Sequence, residues 1–246
     1  MLVLVFVLLK LNARTPPRIF PPKCLTFYNS ISILGVSTGS VYKDVALLRN
    51  GFPAESVNNG SVIAVKTHEW GGQARNSFQS AVLLVRDPFD SILAEFNRRS
   101  GGHIGHASLE KFRKESGKVW QDFVIEKAKD WENINMDWAM NFKGPLLVIH
   151  YDNLVERLEE ELKRVLEFLS VSFTEADMKC VVERKEGIYR RKKKAGNLKA
   201  LLYNSFLTSQ VNKSKEKVLR FIHIFTREFS LNTFIYIRFI KEKFRE

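Results

Sequence analysis

Between Ser61 and Asp152 the chain alternates short apolar runs with longer stretches whose apolar positions recur every three to four residues. Ser61 to Thr67 (SVIAVKT) alternates and is β-branched, which predicts a strand. Ala81 to Val85 is an unbroken Val/Leu-rich run, as a strand buried on both faces requires. Asp87 and Pro88 follow: proline suits the first helical turn and aspartate the cap before it. Phe89, Ile92, Leu93 and Phe96 then fall at helical spacing. Residues 118–142 predict a long amphipathic helix with Trp120, Phe123, Val124, Trp131, Ile134 and Trp138 on one side, a stripe suited to core. Gly144 to Asp152 (GPLLVIHYD) predicts a further buried strand, with Asp152 capping a helix over 153–169. Thr174-Glu175-Ala176-Asp177 resembles a capping box and opens a helix running to about Arg184. A short helix is expected over 41–49 and a terminal one over 211–227. Strands alternating with helices define an α/β class with a mainly parallel sheet flanked by helices.

The flanks read differently. MLVLVFVLLKL is too short to span a bilayer, which takes ~20 apolar residues, and lacks the basic start of a secretory signal. A targeting segment, a buried strand and a misassigned start all remain open for it. Four prolines in RTPPRIFPPK predict an extended loop over 12–24. Ser100 to His106 is a Gly/His-rich loop read as a flexible substrate lip; His103 and His106 lack a partner cluster, so no metal is expected. Cys24 and Cys180 form neither a disulfide framework nor a metal spacing. Asn59-Gly60-Ser61 and Asn212-Lys213-Ser214 are glycosylation acceptors if the chain is lumenal.

Charge narrows the function classes. The formal net charge is +12, but residues 61–183 hold 16 Lys/Arg against 20 Asp/Glu. The excess lies before residue 61 and after 183, so nucleic-acid binding by a basic face is disfavoured and a local anion site is favoured. The strand ends carry polar residues of one kind: Lys66 and His68, then Arg86, then Tyr151. In a parallel sheet these share an edge, and the basic stretch Arg184 to Lys194 adds a cationic loop. Cations, a histidine and an aromatic at one edge suit a phosphorylated nucleotide and a proton transfer.

VKTH, LLVRDPFDSILAEFNR, LLVIHYDNL and ERKEGIYRR resemble the sulfotransferase superfamily, and TGSVYKDVALLRNGFPAE and KTHEWGG resemble its WSC-domain-containing sialate O-sulfotransferases. The likeness covers residues 38 to about 194 and more weakly to about 222; the WSC domain is absent. It implies a P-loop-like α/β fold that uses 3′-phosphoadenosine 5′-phosphosulfate as donor, a carbohydrate acceptor with sialic acid among the candidates, and a Golgi membrane glycoprotein with a lumenal domain. By the same resemblance His68 is the catalytic base and Lys66 its companion at the sulfuryl group. Arg86 holds the 3′-phosphate and Tyr151 lies near the adenine. Arg184, Lys185 and Gly187 close on the 3′-phosphate, with Glu186 interrupting the usual Arg-Lys-Gly. The expected organisation is an atypical segment over 1–37, a sulfotransferase-like domain over 38–222 and a tail over 223–246.

Two departures follow. The serine expected eight residues after the arginine is Ala94, with Ser91 one turn earlier. The glycine-rich 5′-phosphosulfate loop, which should precede TGSVY, is not recognisable in RIFPPKCLTFYNSISILGVS, so whether the chain turns over is left open. The competing expectation is an inactive or truncated relative that at most binds adenosine 3′,5′-bisphosphate.

Overall fold

A computed structural model describes residues 4–8, 38–49, 55–102, 104–183 and 198–229. Its centre is a five-stranded sheet of β1 (Leu4–Leu8), β2 (Thr38–Ser40), β3 (Ala64–Thr67), β4 (Ser80–Val85) and β5 (Leu146–His150), in the order β2-β3-β1-β4-β5. β2 runs parallel to β3 and β4 parallel to β5, while β1 pairs antiparallel with both β3 and β4. Four strands therefore share one direction, which is the mainly parallel α/β sheet expected, and β1 alone runs against them.

Alternation along the strands sends side chains to two faces, and both are covered. Val65, Leu83, Val85 and Val148 pack with Trp131, Trp138, Val218 and Phe221 on one face. These come from α5 (Lys118–Asn141) and α10 (Ser205–Phe229). Ala64, Val82, Leu84 and Ile149 pack on the other face with Leu162, Val165, Met178 and Val181, from α7 (Leu158–Phe168) and α8 (Glu175–Glu183). The remaining helices are α1 (Val45–Arg49), α2 (Gly72–Asn76), α3 (Pro88–Gly101), α4 (Leu109–Arg113), α6 (Tyr151–Glu156) and α9 (Leu198–Leu202).

The β4–α3 unit forms as the sequence predicts. The Asp87 carboxylate accepts the Asp90 N–H at 3.2 Å, capping α3. The same carboxylate pairs with Lys215 of α10 at 2.6 Å. Lys199 reaches Asp90 at 2.8 Å, and Lys217 reaches Glu132 at 2.7 Å. Three of the C-terminal lysines are thus spent on the acidic centre.

Several expectations change. The helix predicted over 153–169 is two, α6 and α7, broken at Arg157, whose φ of −127° and ψ of 50° are not helical. α6 starts at Tyr151 with His150 in the cap position, so Asp152 lies inside the first turn rather than capping it. α10 starts at Ser205 and not 211, because the Asn204 side chain accepts the Leu207 N–H at 2.9 Å as a cap. The residue that follows the stretch read as a flexible lip is tied back to α3: Ala107 N–H donates to Asn97 Oδ1 at 2.8 Å. A Cβ on Gly105 would lie 2.1 Å from the Gly101 carbonyl oxygen, so glycine is needed for that approach. His103, Cys24 and the proline-rich loop lie outside the described residues.

One glycosylation tripeptide is closed by the fold. Ser214 lies within α10, buried, and its Oγ donates to Glu132 Oε2 at 2.9 Å. Asn59 and Ser61 sit on an exposed turn ahead of β3.

Candidate functional site

β3 delivers Lys66 and His68 to the carboxyl edge of the parallel strands. Lys66 is half-buried, 3.9 Å from Glu55 Oε1, and burial holds its ammonium below the usual lysine range, with the Glu55 charge opposing. His68 is stacked on Tyr42, ring centroids 4.1 Å apart and planes 13° from parallel. Tyr42 also accepts the His68 backbone N–H at its hydroxyl, at 3.1 Å. Burial first, and the neighbouring Lys66 charge second, push the His68 pKa down to about 4. At neutral pH this is an uncharged imidazole beside a cation, able to accept a proton.

Both residues open into a cleft of about 660 Å3. Tyr42, Asp44 and Glu55 line it, as does Trp70. α3 contributes Glu95, Arg98 and Arg99, and α5 contributes Lys127 and Asp130. Glu95 is buried yet ionised: burial works to raise its pKa, but bonds from Arg98 Nε (2.8 Å), Arg98 Nη2 (2.7 Å) and Arg99 Nε (2.9 Å) outweigh it. Lys127, itself buried, is held between Glu126 and Asp130, each at 2.5 Å.

Arg86 and Tyr151 come together elsewhere on the same edge. The Arg86 guanidinium lies 4.5 Å from the centroid of the Tyr151 ring. Its carbonyl accepts the Trp131 indole N–H at 3.0 Å, which pins the turn between β4 and α3. Among the described residues no carboxylate meets the guanidinium, because adjacent Asp87 is engaged by Lys215 and Lys199. The side chain is thus held by an aromatic face with its donors unspent, an arrangement that suits a phosphate. Neither Arg86 nor Tyr151 lines the cleft; β3 and β4 flank β1, which puts Arg86 on the order of 10 Å from the Lys66–His68 strand end. Ser91, one turn before Ala94, is wholly buried in α3, and its Oγ has no hydrogen-bond partner among the described residues. Arg184, Lys185 and Gly187 lie outside the described residues.

The central position between β3 and β4 is occupied by β1, and its direction matters. Leu8, its last residue, pairs with Ser80, the first of β4, while Leu4 pairs with Leu84. The chain therefore leaves β1 at the edge opposite Arg86. A phosphate cradle built from backbone N–H groups needs a strand that ends at the ligand's edge, and β1 ends at the other one. The stretch in which the glycine-rich loop is unrecognisable lies outside the described residues.

Sequence reading missed Tyr42, Glu95, Arg98 and Trp70 as cleft residues. Glu95 with Arg98 and Arg99 at i, i+3 and i, i+4 was the available signal for the α3 wall. Tyr42 meets His68 only through the tertiary fold.

Residues 80–175, from the first residue of β4 to the first of α8, match the model of the sulfotransferase family. A WSCD family member of Drosophila melanogaster is 54% identical over 160 residues, which is 65% of this chain and 50% of the relative. Another from Drosophila pseudoobscura pseudoobscura is 54% identical over 160 residues, covering 65% of this chain and 51% of the relative. One from Aedes aegypti is 52% identical over the same length, covering 65% and 50%. The chain spans about half the length of these curated relatives. No solved structure matches it. The match over residues 80–175 and the likeness to WSCD family members support a sulfotransferase-superfamily assignment, with which the α/β fold agrees. Within it the chain is WSCD-like.

Proposed function

We propose that the chain transfers a sulfuryl group from 3′-phosphoadenosine 5′-phosphosulfate to a carbohydrate hydroxyl, with sialic acid among the acceptors. The observation that carries this reading is a neutral His68 beside Lys66, both opening into one cleft at the strand edge. In this reading His68 takes the proton of the acceptor hydroxyl as its oxygen bonds to sulfur and the sulfur–oxygen bond to the 5′-phosphate breaks. Lys66 offsets charge on the sulfuryl oxygens, and adenosine 3′,5′-bisphosphate departs. Charge spread over equatorial oxygens makes positioning and cations the main sources of rate. Arg86, supported by Tyr151, takes the 3′-phosphate, joined by Arg184, Lys185 and Gly187. The setting for this activity is the Golgi lumen, with membrane attachment and glycosylation as in the resemblance. No helix among the described residues is long and apolar enough to cross a membrane.

The direction of β1 favours a second reading, a sulfotransferase-fold protein that binds adenosine 3′,5′-bisphosphate without turnover. Calorimetry with that nucleotide, together with transfer from radiolabelled donor to sialylated glycans, separates the two. Binding that Arg86→Ala weakens by about tenfold, with transfer lost in His68→Ala, supports catalysis. Binding without transfer supports the second reading, and no binding by the unaltered chain overturns both.

A further inference from the structure

Trp70 breaks the pattern of the other tryptophans. Trp120, Trp131 and Trp138 are core residues, at most 4% exposed, whereas Trp70 is 44% exposed and lines the same cleft as His68. Its backbone is nonetheless fixed on both sides. Glu69 carbonyl accepts the Trp138 indole N–H at 2.9 Å, and Gly71 N–H donates to Asp137 Oδ2 at 2.7 Å. Asp137 is itself tied to Arg75. Gly71 turns the chain in the left-handed region, at φ 97°, where a side chain would be strained. The indole, by contrast, makes no hydrogen bond or ring contact among the described residues. Three interactions thus hold in place an aromatic surface that is 44% exposed.

What covers it is constrained by the rest of the cleft. Lys66, Glu95, Arg98 and Asp130 are charged groups on the same walls. An apolar partner seated there would strip them of water without replacing its hydrogen bonds, which is costly. A pyranose ring satisfies both demands, with hydroxyls at its rim for the charged groups and a face of C–H bonds for the indole. A cleft of about 660 Å3 lies within the range of small-ligand sites. We propose that Trp70 is the platform on which the acceptor's sugar ring stacks, holding one ring hydroxyl toward the His68 imidazole. This deepens the sulfuryl-transfer reading and rests on it for the identity of the reacting group.

Because the other three tryptophans are buried, acrylamide quenching of fluorescence in the full chain reports chiefly on Trp70. With adenosine 3′,5′-bisphosphate present, lactose or 3′-sialyllactose is expected to reduce quenching at least twofold, and open-chain sorbitol to leave it unchanged. Trp70→Phe should keep the acceptor KM within a few-fold. Trp70→Ala should raise it roughly tenfold, the size of one aromatic contact, with bisphosphate affinity unaltered. Quenching indifferent to both sugars, or an unchanged KM in Trp70→Ala, overturns the platform even where transfer proceeds. Sugar protection of Trp70 in a chain that neither binds the bisphosphate nor transfers sulfate supports the platform and removes only the sulfuryl reading.

Discussion

Taking the protein from pH 7.5 to pH 4 tests the argument on which His68 rests. Its folded pKa is pushed to about 4 from an ordinary 6.5, by burial and then by Lys66. The unfolded chain binds a proton at this histidine near pH 6.5, while the folded chain resists until about 4. Acid therefore favours unfolding across that window, and above it His68 has no effect. The gap between 6.5 and about 4, at ~1.4 kcal/mol per pH unit, gives roughly 3 kcal/mol lost by pH 4, a sizeable share of a typical ~5–15 kcal/mol. His150 is also held low by burial and adds in the same direction, so the comparison needs a variant. Urea denaturation of wild type and His68→Gln at the two pH values isolates the difference. Wild type is expected to lose about 2–3 kcal/mol more than the variant. In NMR the His68 ring proton should titrate near 4 and move up in Lys66→Met, which removes the second cause. A midpoint between 6 and 7, or equal acid losses in wild type and His68→Gln, refutes the burial argument.

Two substitutions test what holds the edge in place. Asp87→Ala removes the α3 cap and the Lys215 pair, and should cost about 1–2 kcal/mol in urea denaturation, with Asp87→Asn recovering most of it. The Asp87 pKa is lowered by Lys215 and Lys199 against the opposing effect of burial, so the pair's contribution holds above the ordinary carboxylate range and fades below it. Trp138→Phe leaves the Glu69 carbonyl without its donor, and should cost about 1–3 kcal/mol. It should also speed hydrogen exchange in residues 68–71, which a purely packing effect in the core would leave slow.

Three of the five strands, β3, β4 and β5, were legible as apolar runs, whereas β2 had no such run and β1 was one of three readings left open. β4 and β5 are plain in LLVRD and LLVIH. The β4–α3 turn was equally plain, since Asp87 and Pro88 each have one best place at a helix start. The start of α10 was also written locally, in Asn204, but the apolar repeat drew attention to residue 211. The cleft was only half legible. Lys66 and His68 follow from a strand end, whereas their setting depends on Tyr42, 26 residues earlier, and on α3 and α5. The direction of β1 had no local signal at all: an apolar run of that length forms the same pleat either way, and its pairing partners set the sense.

That strand has a consequence for how the molecule assembles. β3 and β4 do not touch as neighbours; the two parallel pairs, β2–β3 and β4–β5, are joined in the sheet only through β1. Phe6 must find Lys66 on one side and Val82 on the other, partners far along the chain. Such distant pairings form late and slowly. Among the described strands β1 is thus placed to dock late, and its docking sets the gap between the Lys66–His68 half of the edge and the Arg86–Tyr151 half. Two half-sheets that formed separately become one surface only when this strand closes between them.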